Sequence, residues 1–466
     1  MLEADLPYGT VSELGGMLQS RDISPVELTR GCLRRIARFD PTLRSFVTVM
    51  EESALREARA AEKDLGSGRR RGPLHGIPYA AKDLLAARGA PTTWGARPLA
   101  DQVFDDDAAV VSRLREAGAI LVGKLAMIEL AGGLGYSKGD ASLTGAARNP
   151  WDRSRWTCGS SSGAAVAAGL VPFAIGSETW GSIICPASFC GVSGLRPTFG
   201  RVSRRGAMAL SWSLDKIGPM ARSAADCEMV LRAISGHDPD DPFTVDEKPP
   251  PRSDPARVRG MRVGYLELDF EAFGDRSVER AFKKALADLE GAGVKADEVK
   301  LPDLPFEPAT VVILVSEVAT ALEELERSGA VRKLVSPAAP LSFIASRAVR
   351  GADLVKAQRV RTVCQRAMAD FFARWDVLLY PGEMRTAFPI DLDFSELPWS
   401  DPAGAAGNLC GLPAISVPCG FGDDGLPVSL TAMSGAFGEH RAVALARRYQ
   451  EVTSWHRRRP DLTPAA

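Results

Sequence analysis

The chain predicts an α/β fold, and three observations carry that prediction. Ala108 to Ala117 has helical character and leads through Gly118 into the apolar run Ala119-Ile120-Leu121-Val122-Gly123-Lys124, so a helix, a breaker and a strand follow one another directly. Val355 to Arg374 is a long amphipathic stretch followed at once by the strand-like Asp376-Val377-Leu378-Leu379-Tyr380-Pro381. Between them, Ala164 to Leu170 is too continuously apolar to face water, which predicts a buried helix. Helical and strand-like segments alternate along the chain, and no internal repeat is present.

The other elements follow in order. Val11 to Phe39 has helical periodicity, interrupted at Ser24-Pro25, a pair suited to an N-cap with Pro at the first helical position. Ala54 to Leu65 is a further helix, and Ile77 to Ala81 a short buried strand. Asp240 to Ala256 is rich in Pro and Asp and is expected to be an exposed excursion. Arg262 to Leu266 restarts a strand, Val278 to Glu290 is a helix, and a strand begins near Val294.

Composition narrows the function classes. With 466 residues, length alone allows two or three domains. Hydrophobic residues make up 45% and charged residues 25%, which suits a soluble protein with a sizeable core. A net charge of −1 gives no reason to expect nucleic acid or an acidic membrane as partner. The runs Arg69-Arg70-Arg71 and Arg457-Arg458-Arg459 are short and read as solvated surface. The eight cysteines are dispersed with no C-x-x-C pair, the pattern of a reduced protein that uses Cys as a small apolar residue. No zinc-like Cys/His spacing occurs, so no metal or other cofactor is expected. There is no secretory signal and no run of about 20 apolar residues, so the expected location is cytoplasmic with no membrane span.

The most informative stretch is Gly176-Ser177-Glu178-Thr179-Trp180-Gly181-Ser182-Ile183-Ile184-Cys185-Pro186. A serine among backbone-exposing residues suits acyl transfer: its hydroxyl can attack a carbonyl while nearby N–H groups face the developing oxyanion. Two other motifs accompany it. Gly72-Pro73-Leu74-His75-Gly76-Ile77-Pro78-Tyr79-Ala80-Ala81-Lys82-Asp83 ends an apolar run on a lysine, and Gly159-Ser160-Ser161-Ser162-Gly163 opens the Ala-rich helix. Together they resemble the amidase signature family of serine hydrolases. Asp22 to Leu28, Asn149-Pro150-Trp151-Asp152, Gly218 to Arg222 and Gly411 to Pro418 extend the likeness over nearly the whole chain. It is weakest between about 235 and 370. The resemblance implies one large domain over 1–466, with a mixed central β-sheet surrounded by helices and a variable, substrate-shaping insertion at about 235–370.

A Ser–His–Asp arrangement needs a suitable histidine, and His75, His237, His440 and His456 all sit in turns or charged C-terminal sequence. That shortage favours a lysine base. Lys82 serves only if neutral, and burial in its apolar run would lower its pKa. Asp83 need not share its site, because adjacent strand residues point to opposite faces. The resemblance implies Ser182 as nucleophile, a second serine as proton relay with its peptide bond in cis, and backbone N–H groups of Thr179, Trp180, Gly181 and Ser182 as the oxyanion hole. By motif the relay falls on Ser160, with Ser161 as runner-up. Counting back from Ser182 without gaps, it falls on Cys158. Ser162, at the helix start, is expected to cap it. Three residues depart from the family pattern. Trp180 replaces a glycine and is expected to line the substrate pocket, while Glu178 and Ile184 replace an aspartate and an arginine, which suggests that a charge pair beside the site is missing.

These readings point to an amidohydrolase cleaving a carboxamide, ester or carbamate of a small-molecule substrate through an acyl-enzyme. The catalytic subunit of a glutamine-dependent tRNA amidotransferase is the alternative. A non-catalytic small-molecule-binding protein on the same fold is the third reading. A second copy of the chain is the candidate for self-association.

Overall fold

The computed structural model describes residues 3–394 and 401–463. Eleven strands form one mixed sheet: β1 (Phe46–Val49), β2 (Pro78–Lys82), β3 (Ile120–Leu125), β4 (Phe173–Glu178), β5 (Ser193–Arg196), β6 (Lys216–Ala221), β7 (Val263–Leu266), β8 (Ala296–Val299), β9 (Val377–Pro381), β10 (Ala414–Phe421) and β11 (Pro427–Met433). Their order across the sheet is β1-β3-β2-β4-β6-β5-β10-β11-β9-β7-β8. β2 runs parallel to both β3 and β4, and β7 parallel to β8 and β9, while the remaining pairs are antiparallel. Helices cover both faces, so the molecule is a single α/β domain with a mixed sheet wrapped by helices.

Side-chain alternation along the central strands sorts residues between two cores. Tyr79, Ala81, Leu121, Phe173 and Ile175 join the larger core, and Tyr79 stacks on Phe173 with ring centroids 5.2 Å apart. Ala80, Ile120, Val122 and Ala174 pack instead against the buried helix Ser162–Ala167. Because every one of these strands is buried, each reads as a continuous apolar run, as expected where helices cover both faces.

Local signals set the N-terminal helices. Thr10 caps Val11–Ser20 and Ser24 caps Pro25–Leu43, each through a reciprocal capping box with Glu13 and Glu27 respectively. The segment expected as an insertion does not stand apart from the sheet. Its strands β7 and β8 extend the sheet beyond β9, joined by the helix Arg276–Gly291. Its helices Phe306–Ala321 and Gly351–Arg374 pack on each other. Among the described residues, no helix is long and apolar enough to cross a membrane.

The expectation that all cysteines are free is corrected. Cys158 and Cys185 form a disulfide, because the fold brings their Cα atoms to 6.1 Å, within bridging reach. The other six are buried and unbridged. His75 has a structural role, buried with Nδ1 accepting the Arg71 N–H at 3.2 Å.

One ion pair fixes the strands that present the site. Asp83 and Lys124 are fully buried and 3.0 Å apart. Asp83 also accepts from the Thr93 N–H at 2.9 Å and from the Thr93 hydroxyl. Lys82 and Asp83 therefore serve different partners, as strand alternation requires. Breaking a buried pair strands the other charge. Asp83→Ala is expected to destabilise the fold by about 3–5 kcal/mol, read as a fall in the urea midpoint at unchanged slope.

Candidate active site

Strand β4 delivers Ser177 and Glu178 into the turn that carries Ser182. Gly181 takes φ +83°, which reverses the chain, and the helix Ile184–Cys190 follows, with the Cys185 N–H bonded to the Gly181 carbonyl at 2.8 Å. Glu178 holds this turn. Its carboxylate accepts the N–H groups of Ile183 at 2.8 Å and Ile184 at 3.0 Å, capping the start of that helix. Its other oxygen accepts from the Arg196 guanidinium on β5 at 2.7 Å. Burial works to raise the Glu178 pKa, but Arg196, Lys216 and the backbone donors outweigh it and bring it down to about 2. The charge pair that Ile184 was expected to remove is thus present, its guanidinium supplied from β5 instead.

The four N–H groups expected to form the oxyanion hole, those of Thr179, Trp180, Gly181 and Ser182, are taken by no acceptor among the described residues. Ser182 is half-buried at the turn. Trp180 is also half-buried, and its indole reaches the Asp401 carboxylate. Asp401, half-buried and close to Glu178, has its pKa raised to about 6, first by desolvation and then by the Glu178 charge. Glu383 is buried nearby and is pushed well above the usual carboxylate range, first by burial and then by the Asp401 and Glu178 charges.

Lys82, at the end of β2, is buried as expected. Its Nζ donates to Ser177 Oγ at 3.1 Å and approaches the Ser177 carbonyl at 3.5 Å. It makes no ion pair among the described residues. Burial lowers its pKa to about 8, with Asp215 and Glu178 pulling partly the other way. Beside Ser177 opens a cavity of about 340 Å³, bordered also by Thr179, Asp215, Leu84, Met208 and Leu210. Arg204 and Phe243 border it as well, and Arg204 is 3.0 Å from Asp241 and 4.7 Å from the Phe243 ring. Thr179 Oγ donates to Asp215 at 2.6 Å, which ties the turn to the residue before β6. Trp180 does not border this cavity.

The Ser-rich loop is arranged otherwise than the sequence suggests. Among the described residues every peptide bond is trans; the loop turns through two left-handed residues, Cys158 (φ +62°) and Gly159 (φ +54°), in place of a cis bond. Ser160 lies beside Met127 and Thr157, and its buried hydroxyl has no hydrogen-bond partner among the described residues. Ser161 is the N-cap residue by position, yet its hydroxyl donates to the Ser45 and Ala126 carbonyls at 2.6 and 2.9 Å and caps nothing. Ser162 does not cap the helix either: it lies inside its first turn, with a buried, unpartnered hydroxyl. Cys158 has no thiol proton to give, because its sulfur is bridged to Cys185.

Sequence reasoning missed Ser177, Arg196, Asp215 and Lys216 as parts of the site. Lys216 is buried, donates to the Thr179 and Leu214 carbonyls, and has its pKa lowered to about 7, first by burial and then by Arg196. The signal available was a charged pair, Asp215-Lys216, set directly against the apolar run of β6.

Known proteins share this architecture. A family model described as Amidase matches residues 27–443. A glutamyl-tRNA(Gln) amidotransferase chain of Moorella thermoacetica, one subunit of that enzyme, is 37% identical, covering 98% of this chain and 99% of that protein. The peptide amidase of Stenotrophomonas maltophilia superposes with a TM-score of 0.84 at 32% identity, over 96% of this chain and 97% of that one. A chain from a vestigial protein complex, described for the evolutionary origins of an s-triazine catabolic enzyme, gives a TM-score of 0.86 at 30% identity, over 95% and 98%.

The Glu178 clamp has a pH consequence. Its folded pKa, about 2, lies below the ordinary 4.5, so its stabilisation is complete above pH 4.5 and is lost as pH falls through 2. That contribution is about 3 kcal/mol. Glu178→Gln is expected to be less stable at pH 7 and to lose less further stability between pH 5 and pH 2 than the wild type, measured by urea denaturation at each pH.

Proposed function

The chain belongs to the amidase family and is an enzyme acting on carbon–nitrogen bonds, and from that premise we propose that it opens a carboxamide through an acyl-enzyme on Ser182 with Lys82 as base. The observation that carries this reading is the environment of Lys82. A buried lysine hydrogen-bonded to a hydroxyl, with no ion pair among the described residues, is poised to be neutral near physiological pH. It sits against the strand that leads, five residues past Ser177, to Ser182. Attack by Ser182 would place the oxyanion against the uncommitted N–H groups of Thr179 to Ser182. A relay hydroxyl must link the two residues, and the loop motif nominates Ser160. Water then releases the acyl group. Esters and carbamates of the same shape would enter the same chemistry.

A second reading keeps this half-reaction and changes its destination: the chain as the amidase component of a glutamine-dependent tRNA amidotransferase, passing ammonia to partner subunits. The relatives named for glutamyl-tRNA(Gln) amidotransferase, 37% identical over nearly full length, favour it over a free-standing hydrolase. The purified chain alone, offered glutamine and simple aryl amides, separates the two. Ammonia release from glutamine that appears only with partner subunits supports the second. Turnover of aryl amides by the lone chain supports the first. A pure binding protein would turn over neither, and would have no use for a desolvated lysine.

Ser182→Ala is expected to lower kcat about 10⁴-fold or more with the fold intact, and a fluorophosphonate should label Ser182; label on another serine refutes the assignment. Because protonated Lys82 cannot act as base, the rate should rise with pH through about 8 and then level. Lys82→Ala should remove that rise with most of the activity. Trp180 is proposed to restrict the acyl group from the Asp401 side. Trp180→Gly should then raise relative kcat/KM for bulky acyl groups more than for small ones, and an unchanged profile across a size series counts against it.

A further inference from the structure

We propose that the Cys158–Cys185 bridge is a redox switch on the Ser-rich loop. While it is closed, no hydroxyl of the loop reaches Lys82; reduction by a small thiol frees Ser160 to do so. This rests on the reading of Lys82 and Ser182 given above. The bridged structure has the relay disconnected. Among the described residues, Lys82 Nζ bonds only to Ser177. Ser161 is spent on the Ser45 and Ala126 carbonyls, and the buried hydroxyls of Ser160 and Ser162 have no partner among the described residues. Yet the loop runs close by. Lys82 is in register with Leu125 on β3, and the two residues after Leu125 pair with the loop. The Ser161 N–H bonds to the Ala126 carbonyl at 3.1 Å, and Met127 bridges to Ser160. Ser160 is therefore in the right part of the fold and wrongly aimed.

Cys158 sets that aim. Its backbone is left-handed at φ +62°, a region that residues with a side chain seldom take, and its carbonyl accepts the Ser160 N–H in a tight turn. Its sulfur is tied to Cys185, whose N–H bonds to the Gly181 carbonyl at 2.8 Å in the turn that carries Ser182. One covalent bond thus fixes the loop against the helix that follows the nucleophile. Opening it takes a thiol as co-reactant. The thiolate attacks the sulfur of Cys158, the less buried residue of the pair. The S–S bond breaks, its electron pair leaves on the Cys185 sulfur, and that sulfur takes a proton. A second thiol then displaces Cys158 from the mixed disulfide. Two small thiols end as one disulfide, and Cys158 and Cys185 end as thiols. Released from its tether, Cys158 returns to ordinary backbone and Ser160 turns with it.

The test compares the enzyme oxidised with diamide and the same enzyme reduced with dithiothreitol, with the state of Cys158 and Cys185 read by alkylation and mass spectrometry. The readout is the rate at which a fluorophosphonate labels Ser182, which depends on no natural substrate. Labelling is expected to be about 10²-fold faster after reduction. Cys185→Ala cannot form the bridge and should label at the fast rate with or without dithiothreitol. Cys185→Ser carries the comparison if the alanine variant fails to fold. Adding Ser160→Ala to the Cys185 variant should return labelling to the slow rate of the bridged enzyme, an effect that a merely structural bridge does not produce. Equal rates in the two redox states, slower labelling after reduction, or a Cys185 variant that still responds to dithiothreitol would overturn the switch. So would a gain that survives Ser160→Ala. Absence of label on Ser182 in every form would instead overturn the nucleophile assignment, and the switch with it, an outcome distinguishable from all of these.

Discussion

Glu178 sits where no water reaches it and keeps its charge because three donors converge on it: two backbone N–H groups and the Arg196 guanidinium. A buried carboxylate without such partners would protonate or unfold its surroundings. The turn from Thr179 to Ser182 hangs between this anchor and the Thr179–Asp215 bond. Its own N–H groups stay uncommitted because neighbouring residues do the holding. The same carboxylate contributes to the field at Lys82 and Lys216, so one ion pair shapes both the backbone and the electrostatics.

Two buried lysines on neighbouring strands show how little proximity of charge is needed to tune a base. The pKa of Lys82 is held near 8 by desolvation, with Asp215 and Glu178 opposing that shift at a distance. Lys124, on β3, is equally buried but bonded directly to Asp83. Both lie at the same end of parallel strands, and alternation on β2 sends Lys82 and Asp83 to different neighbours. Chemistry and scaffold are thereby separated by a single residue.

The layering, the buried helix after the Ser-rich loop and the burial of Lys82 were legible because each depends on local pattern: apolar continuity, Gly and Pro breakers, and strand alternation. The contact of Ser177 with Lys82 was not, since a serine at a strand end carries no mark until β2 is known to lie beside β4. Arg196 was hidden likewise: its sequence announces a turn, and only the pairing of β5 with β6 and β10 brings it under Glu178. The backbone of the Ser-rich loop was not legible for a different reason. Placing residues by motif or by count assumes an ordinary backbone, whereas two successive left-handed residues re-aim the side chains that follow. The cysteines misled because dispersal along the chain says nothing about distance across it.

The Cys158–Cys185 bridge closes a covalent ring around a sequence separation of 27 residues. That ring contains the Ser-rich loop, the buried helix, all of β4 and the turn with Ser182. Gly163, inside it, lies so close to the carbonyl of Pro186, just past the bridge, that any side chain there would collide with it, so the buried helix and the helix Ile184–Cys190 touch backbone to backbone. A loop of this size removes roughly 3.5 kcal/mol of chain entropy from the unfolded state. The segment is thus a tethered cassette: even when the rest of the chain comes apart, its two ends cannot diffuse away from each other. Its folding becomes a local event, while β2, which brings Lys82, must arrive from outside.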